Sequence, residues 1–441
     1  MQHLPPGGGL QSDYGLVQMA PLMWLDDILS CINSLEEARQ INTKIDHIMK
    51  QRGLSLNKTK SVCIVLGSKK QRSKASEDMR INPLLCGSFE TKEKEEYKWL
   101  GQILSSAGLA DSVTKTIAEK EGKIRGACLE IVLIVNDWRA KALGGLETAF
   151  MLWEACCISS ILHGAGTWVE MTKDTEKKLN ALQIWFIRLV LQVGPGSPVA
   201  ALLWDSAMLD MGLRVWREKV MLVLHLRSLG EETLASRVYK EQRDNKWPGL
   251  AIETEQICKD LGIEDCNSTT ISKNDFRRIV TKACHTQNEE RLKLSASKVK
   301  CDKMKKETYG RKEYCSSETI GQARKWFRSR FGLQPFAGNY THDKRFNKTE
   351  WLCRCKEYKE DESHIISGNC PVYGDLRTNF GDLDEDKNLV SFFTAVLDRR
   401  DLLEEEDKMW QDKATAAASS GPGDRERTRQ PGTDISMVVQ L

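Results

Sequence analysis

Three cysteines and one histidine lie close together around residue 360 and have the residue types of a metal-binding cluster. Cys353, Cys355, His364 and Cys370 follow the pattern Cys-x-Cys-x8-His-x5-Cys. Thiolate sulfur and imidazole nitrogen are the ligands that tetrahedral structural zinc prefers, and a short segment with few other means of folding gains free energy from such an ion. The pattern therefore predicts a Zn²⁺ site. The alternative is a set of unrelated thiols beside a surface histidine, and the first spacer is shorter than the usual two residues.

Two adjacent carboxylates, Asp26 and Asp27, lie between the short apolar runs Met-Trp-Leu and Ile-Leu. This pattern predicts a tight β-hairpin whose turn presents the acids. Carboxylate oxygens held on rigid strands suit Mg²⁺ (or Mn²⁺), which keeps water and substrate phosphates in its remaining coordination positions. The alternative is a solvated turn between two strands.

The residues after this hairpin predict a helix, a polar turn and two strands. Ser34 and Glu37 form a capping box that begins the helix, apolar residues recur at helical spacing through Ile48, and Gly53 ends it. The turn, Gly-Leu-Ser-Leu-Asn-Lys-Thr-Lys at 53–60, leads into a strand predicted over residues 61–66. Residues 97–104 are predicted as one further strand with an embedded glycine.

In this order, the acid hairpin, the helix, the Gly-Leu-x-Leu-Asn-x-x-Lys turn and the Trp-Leu-Gly segment resemble the second half of a reverse transcriptase palm of the non-LTR (LINE-like) retrotransposon type. The resemblance covers roughly residues 19–400. It implies that Asp26 and Asp27 are the catalytic carboxylates that bind Mg²⁺. It also implies that Asn57 and Lys60 belong to the motif whose lysine lies near the triphosphate. Three residues match the primer grip, which holds the 3′ end of the growing strand: Trp99, Leu100 and Gly101.

The resemblance implies two-metal nucleotidyl transfer on an RNA template, with deoxynucleoside triphosphates as the only small-molecule substrates. The family needs a third catalytic aspartate on an earlier palm strand. The 25 residues before Asp26 contain one aspartate, Asp13, and no apolar run surrounds it. We therefore expect a fragment that lacks the fingers and the first catalytic aspartate and that is inactive as an isolated chain.

The predicted fold class is α+β, with a partial palm, a mainly helical thumb region and a small zinc knuckle. Its parts are a flexible N-terminus (1–18), the partial palm (19–108), the thumb and connection (109–250), a basic helical segment (251–350), the CCHC knuckle (351–378), a short helical segment (379–403) and a disordered tail (404–441). Apolar residues recur every three or four positions in the thumb region. Its tryptophans are predicted to be core residues rather than base-stacking platforms: Trp138, Trp153, Trp168, Trp185, Trp204 and Trp216.

Between residues 277 and 348 basic residues outnumber acidic ones, and aromatic residues are interleaved with them. Such a segment neutralises phosphates, although a solvated helix face is an equal alternative for the charges alone. The zinc pattern that follows favours nucleic acid, because zinc knuckles lie C-terminal of the polymerase in many non-LTR elements and bind single strands. The predicted nucleic-acid-binding residues are Lys303, Lys305, Lys306, Arg324, Lys325, Arg328 and Arg330.

Composition is that of a globular protein: 441 residues, 40% hydrophobic and 29% charged, with a net charge of +3. There is no apolar run of membrane-spanning length and no secretory signal pattern, so we expect an intracellular protein of the nucleus or cytoplasm without a membrane partner. Phosphate-binding loops ending in Lys-Ser or Lys-Thr, His-Glu-x-x-His and Gly-x-Ser-x-Gly are absent from the sequence.

Two functions are consistent with these patterns. The first is a portion of an RNA-directed DNA polymerase that acts on an RNA template and a DNA primer or target. The second is a non-catalytic nucleic-acid-binding protein that uses basic helices and a zinc knuckle. Both predict zinc at the Cys/His cluster. They differ in whether Asp26 is required for DNA synthesis or can be replaced without effect.

Overall fold

The computed structural model describes residues 22–24, 27–136, 145–263, 271–298, 304, 307–317, 319–336, 352–383 and 385–419. Within these ranges the side chains of residues 22–24, 27, 296–298, 317 and 410–419 are not described. The fold is a mixture of helices and small two-stranded sheets, and the chain divides into two compact units, Met1–Leu333 and Gln334–Leu441. None of the described helices is long and apolar enough to span a bilayer.

The first unit begins with an antiparallel strand pair. β1 (Leu22–Trp24) pairs with β2 (Asp27–Leu29), and Trp24 lies opposite Asp27. The predicted hairpin is therefore confirmed for its two strands. Asp26, in the connection between them, lies outside the described residues, and the side chain of Asp27 is not described.

Helix α1 (Leu35–Gln51) follows the predicted pattern closely. The Ser34 hydroxyl accepts a hydrogen bond from the Glu37 amide at 3.2 Å, which satisfies one of the free amides at the helix start. Ala38 and Ile41 are buried on its apolar face. Gly53 has φ +69°, the left-handed conformation that ends a helix at low cost in glycine.

Short strands surround a second helix. β3 (Val62–Cys63) pairs in parallel with β6 (Lys92–Glu93), and β4 (Leu85–Cys86) pairs antiparallel with β5 (Phe89–Glu90). The strand predicted over residues 61–66 is thus limited to two residues. Between β3 and β4, α2 (Lys69–Ile81) buries Met79 against Ala38 of α1. Helix α2 was not predicted because its sequence is polar nearly throughout.

Residues 97–104 form a hairpin rather than the single strand predicted from the sequence. β7 (Glu96–Trp99) pairs antiparallel with β8 (Gln102–Ser105) in the register Trp99 opposite Gln102. The two connecting residues, Leu100 and Gly101, have φ values of +47° and +78°. Positive φ at both positions is typical of the tight turn whose twist matches that of paired strands. The embedded glycine therefore marks a chain reversal.

The remaining described residues of the first unit are mainly helical. Its α-helices from residue 109 to residue 298 have these bounds: α3 (Leu109–Asn136), α4 (Gly145–Leu152), α5 (Ser159–Ile161), α6 (Lys173–Leu191), α7 (Val199–Ser206), α8 (Met211–Ser228), α9 (Leu234–Asp244), α10 (Leu250–Asp260) and α11 (Lys273–Lys298). A π-helical turn, Trp153–Ile158, joins α4 to α5. The predicted helical character of residues 109–250 is confirmed within the described ranges.

Tryptophans form a large part of the core of this unit. Trp153 is fully buried and stacks on Phe186 with ring centres 4.5 Å apart, and Trp168 and Trp204 are also buried. Trp185 and Trp216 are half-buried and pack under the guanidinium groups of two arginines. The prediction of core tryptophans is confirmed for the buried three, while Trp138 lies outside the described residues.

The last part of the first unit is α12 (Tyr314–Ser317) and α13 (Ile320–Phe331). A buried polar network attaches them to α7. The carboxylate of Asp205 accepts hydrogen bonds from Arg330 Nε at 2.9 Å and from the Tyr314 hydroxyl at 2.7 Å. Arg330 also donates to Glu307 at 2.7 Å. Asp205 interrupts the apolar run of α7, and a buried charge of that kind requires such partners.

The described residues of the second unit include three helices: α14 (Glu362–Ile366), α15 (Gly374–Thr378) and α16 (Asp386–Ser419). Helix α16 buries Leu389, Phe392, Phe393 and Val396, which recur at helical spacing on one face. It continues through residues 404–419, where the sequence predicted a disordered tail. An Arg400–Glu404 pair of the i,i+4 type and alanine-rich residues 414–418 favour helix there.

Candidate metal centre

A tight hairpin places the first two ligands of the Cys/His cluster. Leu352 and Lys359 form a β-bridge, and the Cys353 amide donates to the carbonyl of Tyr358 at 2.8 Å. The Lys356 amide donates back to the Cys353 carbonyl at 2.7 Å, and Lys356 has φ +64°. This reversal brings the thiols of Cys353 and Cys355 to the same side of the hairpin.

Short helix α14 places the third ligand. Asp361 caps the helix by accepting a hydrogen bond from the His364 amide at 2.9 Å. His364 then faces the hairpin, with its ring centre 4.9 Å from that of Tyr358. After α14 the chain turns at Gly368, which has φ +76°, and returns Cys370 to the cluster.

The four ligand atoms converge at distances that suit one tetrahedral ion. All lie within 4.8 Å of one another. The Cys353 and Cys370 sulfurs are 3.5 Å apart, and Cys355 Sγ lies 3.4 Å from His364 Nε2. Zinc–sulfur and zinc–nitrogen bonds of tetrahedral sites place such pairs about 3.6–3.8 Å apart. The structure therefore brings together all four predicted ligands as a cluster able to bind a metal ion such as zinc.

Backbone amides around the sulfurs favour the thiolate form. Burial by itself raises the pKa of Cys355, but the amides of Glu357 and Tyr358 donate to its sulfur, and with the neighbouring thiols they bring its pKa below the ordinary value. Burial raises the pKa of Cys353, and the amide of Cys355 opposes that shift. Amide donors around sulfur are the outer-shell partners that a metal-bound thiolate uses, and a bound cation deprotonates such thiols.

The cluster is part of the core of the second unit. Cys353 and Cys370 are each 1% exposed and pack with Phe336, Tyr373 and Phe392. The predicted knuckle (351–378) is therefore not a free-standing loop, because α16 covers it. Arg400 donates to the Pro335 carbonyl at 2.8 Å and pairs with the buried carboxylate of Glu360 at 3.6 Å.

The residues that the resemblance assigns to a palm are only partly described. Asp26 lies outside the described residues, and Asp27 is described by its backbone alone. Lys60 is exposed at the end of a turn in which Asn57 Oδ1 accepts hydrogen bonds from the amides of Thr59 and Lys60. The structure thus gives no distance between the carboxylates and Lys60.

The primer-grip candidates lie on the β7–β8 hairpin, which packs against the helical part of the unit. Trp99 is half-buried and Leu100 is exposed. Next to the turn, Gln102 donates to the His163 carbonyl at 2.6 Å and accepts from Trp168 Nε1 at 2.8 Å. The hairpin is therefore rigidly placed, with Leu100 at its exposed tip.

Two of the arginines predicted to bind nucleic acid have internal partners instead. Arg324 is 7% exposed and donates to the Val190 carbonyl at 2.6 Å, and Arg330 is 9% exposed within the Asp205 network. Arg328 donates to the Gln192 carbonyl at 2.7 Å. The buried positions of Arg324 and Arg330 argue against phosphate contact, because these guanidinium groups are used to attach α13. Lys325 is half-exposed, and Lys303, Lys305 and Lys306 lie outside the described residues.

The hairpin also exposes three residues that were not among the predicted site residues. Tyr358 is 55% exposed, and Lys356 and Lys359 are exposed on either side of it along the chain. The signal in the sequence is their position between the second and third metal ligands, where the backbone must turn and cannot bury side chains.

Among known proteins, no family model matches this chain and no curated protein is similar to it.

Proposed function

We propose that this chain is a nucleic-acid-binding protein in which Cys353, Cys355, His364 and Cys370 hold a structural Zn²⁺. The convergence of the four ligand atoms carries the proposal. Three sulfurs and one nitrogen complete a tetrahedral set, and a site with four protein ligands leaves no open position for a substrate. Zinc here stabilises the fold and orients the hairpin; it does not take part in a reaction.

The hairpin has the surface chemistry to bind a single strand. The exposed ring of Tyr358 rests near the imidazole of His364, so its orientation follows from the metal site. Stacking on an aromatic ring is available to every base, and the neighbouring Lys356 and Lys359 supply positive charge for phosphates. The binding of a single strand at the hairpin therefore depends on an ordered metal site that orients Tyr358.

The test measures zinc content and the binding of a fluorescent single-stranded oligonucleotide by the full chain. We expect one zinc per chain. Loss of base stacking costs about 1–3 kcal/mol, so Tyr358→Ala is expected to weaken binding roughly 5- to 150-fold. Tyr358→Phe, the matched control, keeps the ring and is expected to bind like the wild type. Equal affinity for all three proteins would exclude Tyr358 as a stacking platform.

A second proposal is that residues 19–108 form part of a reverse-transcriptase palm. Two described features support it: the β1–β2 pair, which puts Asp27 at the edge of the acid turn, and the rigid hairpin that carries Trp99 and Leu100. Asp26 and Asp27 would then hold Mg²⁺ for nucleotidyl transfer, with Lys60 near the leaving pyrophosphate.

This second proposal is tested by fusing the chain behind the fingers and first palm strand of a non-LTR reverse transcriptase. Primer extension on an RNA template is then measured with Mg²⁺. Asp26→Ala is expected to abolish extension, whereas Asp13→Ala, which removes an acid outside the motif, is expected to have no effect. Extension that survives Asp26→Ala would overturn the catalytic assignment.

A further inference from the structure

The metal-centred hairpin cannot by itself supply much charge for phosphate binding. Residues 352–409 contain eight basic residues and fifteen acidic ones, so the unit around the hairpin is strongly acidic. Affinity for nucleic acid depends largely on cations that neutralise phosphates and release counterions. Arg324 and Arg330 of the predicted basic segment are buried. Among the described residues, we therefore expect further phosphate-binding charge elsewhere in the first unit.

One part of the first unit has the required character. Residues 50–74, from the end of α1 to the second turn of α2, contain eight basic residues and no acidic residue. Lys50 is paired with Asp46 at 2.7 Å, and half-buried Arg72 donates to the Ser106 hydroxyl at 3.1 Å. The remaining six are Arg52, Lys58, Lys60, Lys69, Lys70 and Lys74. The side chains of all six are exposed, and within the described ranges none of them forms an ion pair.

Local hydrogen bonds hold this basic stretch in a defined shape. At its centre, Asn57 Oδ1 accepts from the Thr59 hydroxyl at 2.8 Å and from the amides of Thr59 and Lys60, and the Asn57 carbonyl accepts from the Ser61 hydroxyl at 2.9 Å. At the start of α2, Ser68 and Gln71 form a complete capping box. The cations are thus carried by ordered backbone, which lowers the entropy cost of binding.

Charge at the start of α2 points to an anionic ligand. The first turn contains Lys69 and Lys70 and no acidic residue. A helix N-terminus carries a partial positive charge, so acids stabilise it and lysines are unfavourable there. This local repulsion is relieved when an anion binds beside the turn.

We propose that residues 50–74 form a binding surface for the phosphodiester backbone of RNA or DNA. The inference rests on the proposed nucleic-acid-binding function and names the surface that supplies its charge. An anionic membrane is a poorer fit, because the stretch exposes just two leucines, Leu54 and Leu66, and an interfacial helix needs a continuous apolar face. Recognition is by phosphate, so the surface does not select sequence.

The experiment measures the affinity of the full chain for a single-stranded RNA and a duplex DNA of equal length over a range of salt concentrations. The test variant changes Arg52, Lys58, Lys69, Lys70 and Lys74 to glutamine and keeps Lys60, so that the proposed role of Lys60 at a triphosphate is not disturbed. The matched control changes five other exposed lysines outside the stretch: Lys173, Lys178, Lys246, Lys259 and Lys273. Both variants lower the net charge from +3 to −2.

We expect the test variant to bind at least about tenfold more weakly at 0.1 M salt and to lose about 0.7–0.9 of the log–log salt slope for each phosphate contact removed. The control is expected to keep the wild-type slope. Comparison of the RNA and DNA arms identifies which nucleic acid the surface prefers. Equal salt slopes for the test variant and the wild type would overturn the assignment of residues 50–74 as the binding surface but not the proposed function. A wild type that binds neither nucleic acid would overturn both. Tighter binding to vesicles of anionic lipid than to either nucleic acid would also overturn the surface.

Discussion

Removal of one metal ligand is expected to unfold the second unit while the first stays folded. Cys370→Ala deletes a sulfur that is 1% exposed and lies 3.5 Å from that of Cys353. The variant leaves three ligands, and the thiols of Cys353 and Cys355 are expected to lose the cation that stabilises their ionised form. The perturbation therefore acts at the centre of a small core.

The magnitude follows from the size of that core. The buried hydrophobic cluster of the unit has ten members, and two of them are the ligands Cys353 and Cys370. Structural zinc sites contribute about 10–16 kcal/mol to folding, while whole domains have a net stability of about 5–15 kcal/mol. A unit of this size without its metal is expected to have no folding free energy left.

The assay is hydrogen exchange of backbone amides in the full chain, read by mass spectrometry together with zinc content. In the wild type we expect protection of residues 389–397, which form the buried face of α16. In Cys370→Ala, or after a strong chelator, these amides are expected to exchange at the rate of an unfolded chain. Amides of α6 in the first unit serve as the internal reference.

Cys156→Ala is the matched control, because it removes an exposed cysteine of the first unit. It is expected to keep one zinc per chain and wild-type exchange in both units. Full protection of residues 389–397 in a Cys370→Ala protein without zinc would refute the reasoning, because the apolar core alone would then be sufficient.

Three further predictions concern the first unit. Arg330→Met leaves the buried Asp205 carboxylate without its guanidinium partner and is expected to lower the free energy of unfolding by about 3–5 kcal/mol in urea titrations, and an effect below 1 kcal/mol would contradict the network. Burial, and to a smaller extent nearby Arg214, lowers the pKa of His285 below its usual 6.5. The unfolded chain therefore binds more protons than the folded chain as the pH falls. The contribution of neutral His285 to the free energy of unfolding is complete above pH 6.5 and is lost as the pH falls through the lowered pKa. The midpoint temperature of thermal unfolding is thus expected to fall more between pH 7 and pH 5 for the wild type than for His285→Gln. Parallel plots of midpoint temperature against pH for the two proteins would contradict this. Gly101→Ala strains a residue at φ +78° and is expected to cost about 1 kcal/mol, whereas Gly122→Ala, in open space on α3, is expected to stabilise the unit by about 0.5–1 kcal/mol.

Spacing along the chain was sufficient to identify the four side chains that form the candidate metal centre. Cys353, Cys355, His364 and Cys370 lie within 18 residues, and a segment of this length can bring its own ligands together through local turns. The same local logic predicted α1, because the Ser34 cap and the apolar spacing depend on near neighbours alone.

Surface properties of the basic residues were predicted less well. Arg324 and Arg330 have the same sequence signal as an exposed lysine, but their partners, the Val190 carbonyl and Asp205, are more than 120 positions away. Only long-range packing decides whether such a side chain faces water. In contrast, the lack of acidic residues between Lys50 and Lys74 is visible in the sequence, although their exposure is not.

The sequence by itself determined which residues can bind a metal, where α1 begins and ends, and that Trp153, Trp168 and Trp204 belong to the core. Each of these depends on side-chain chemistry and on contacts within a few turns of the chain. The tertiary structure decided that residues 97–104 reverse direction, that α16 covers the metal centre, and which cations stay exposed. These features depend on contacts between distant segments, whose free energies exceed local preferences and cannot be summed from neighbouring residues alone.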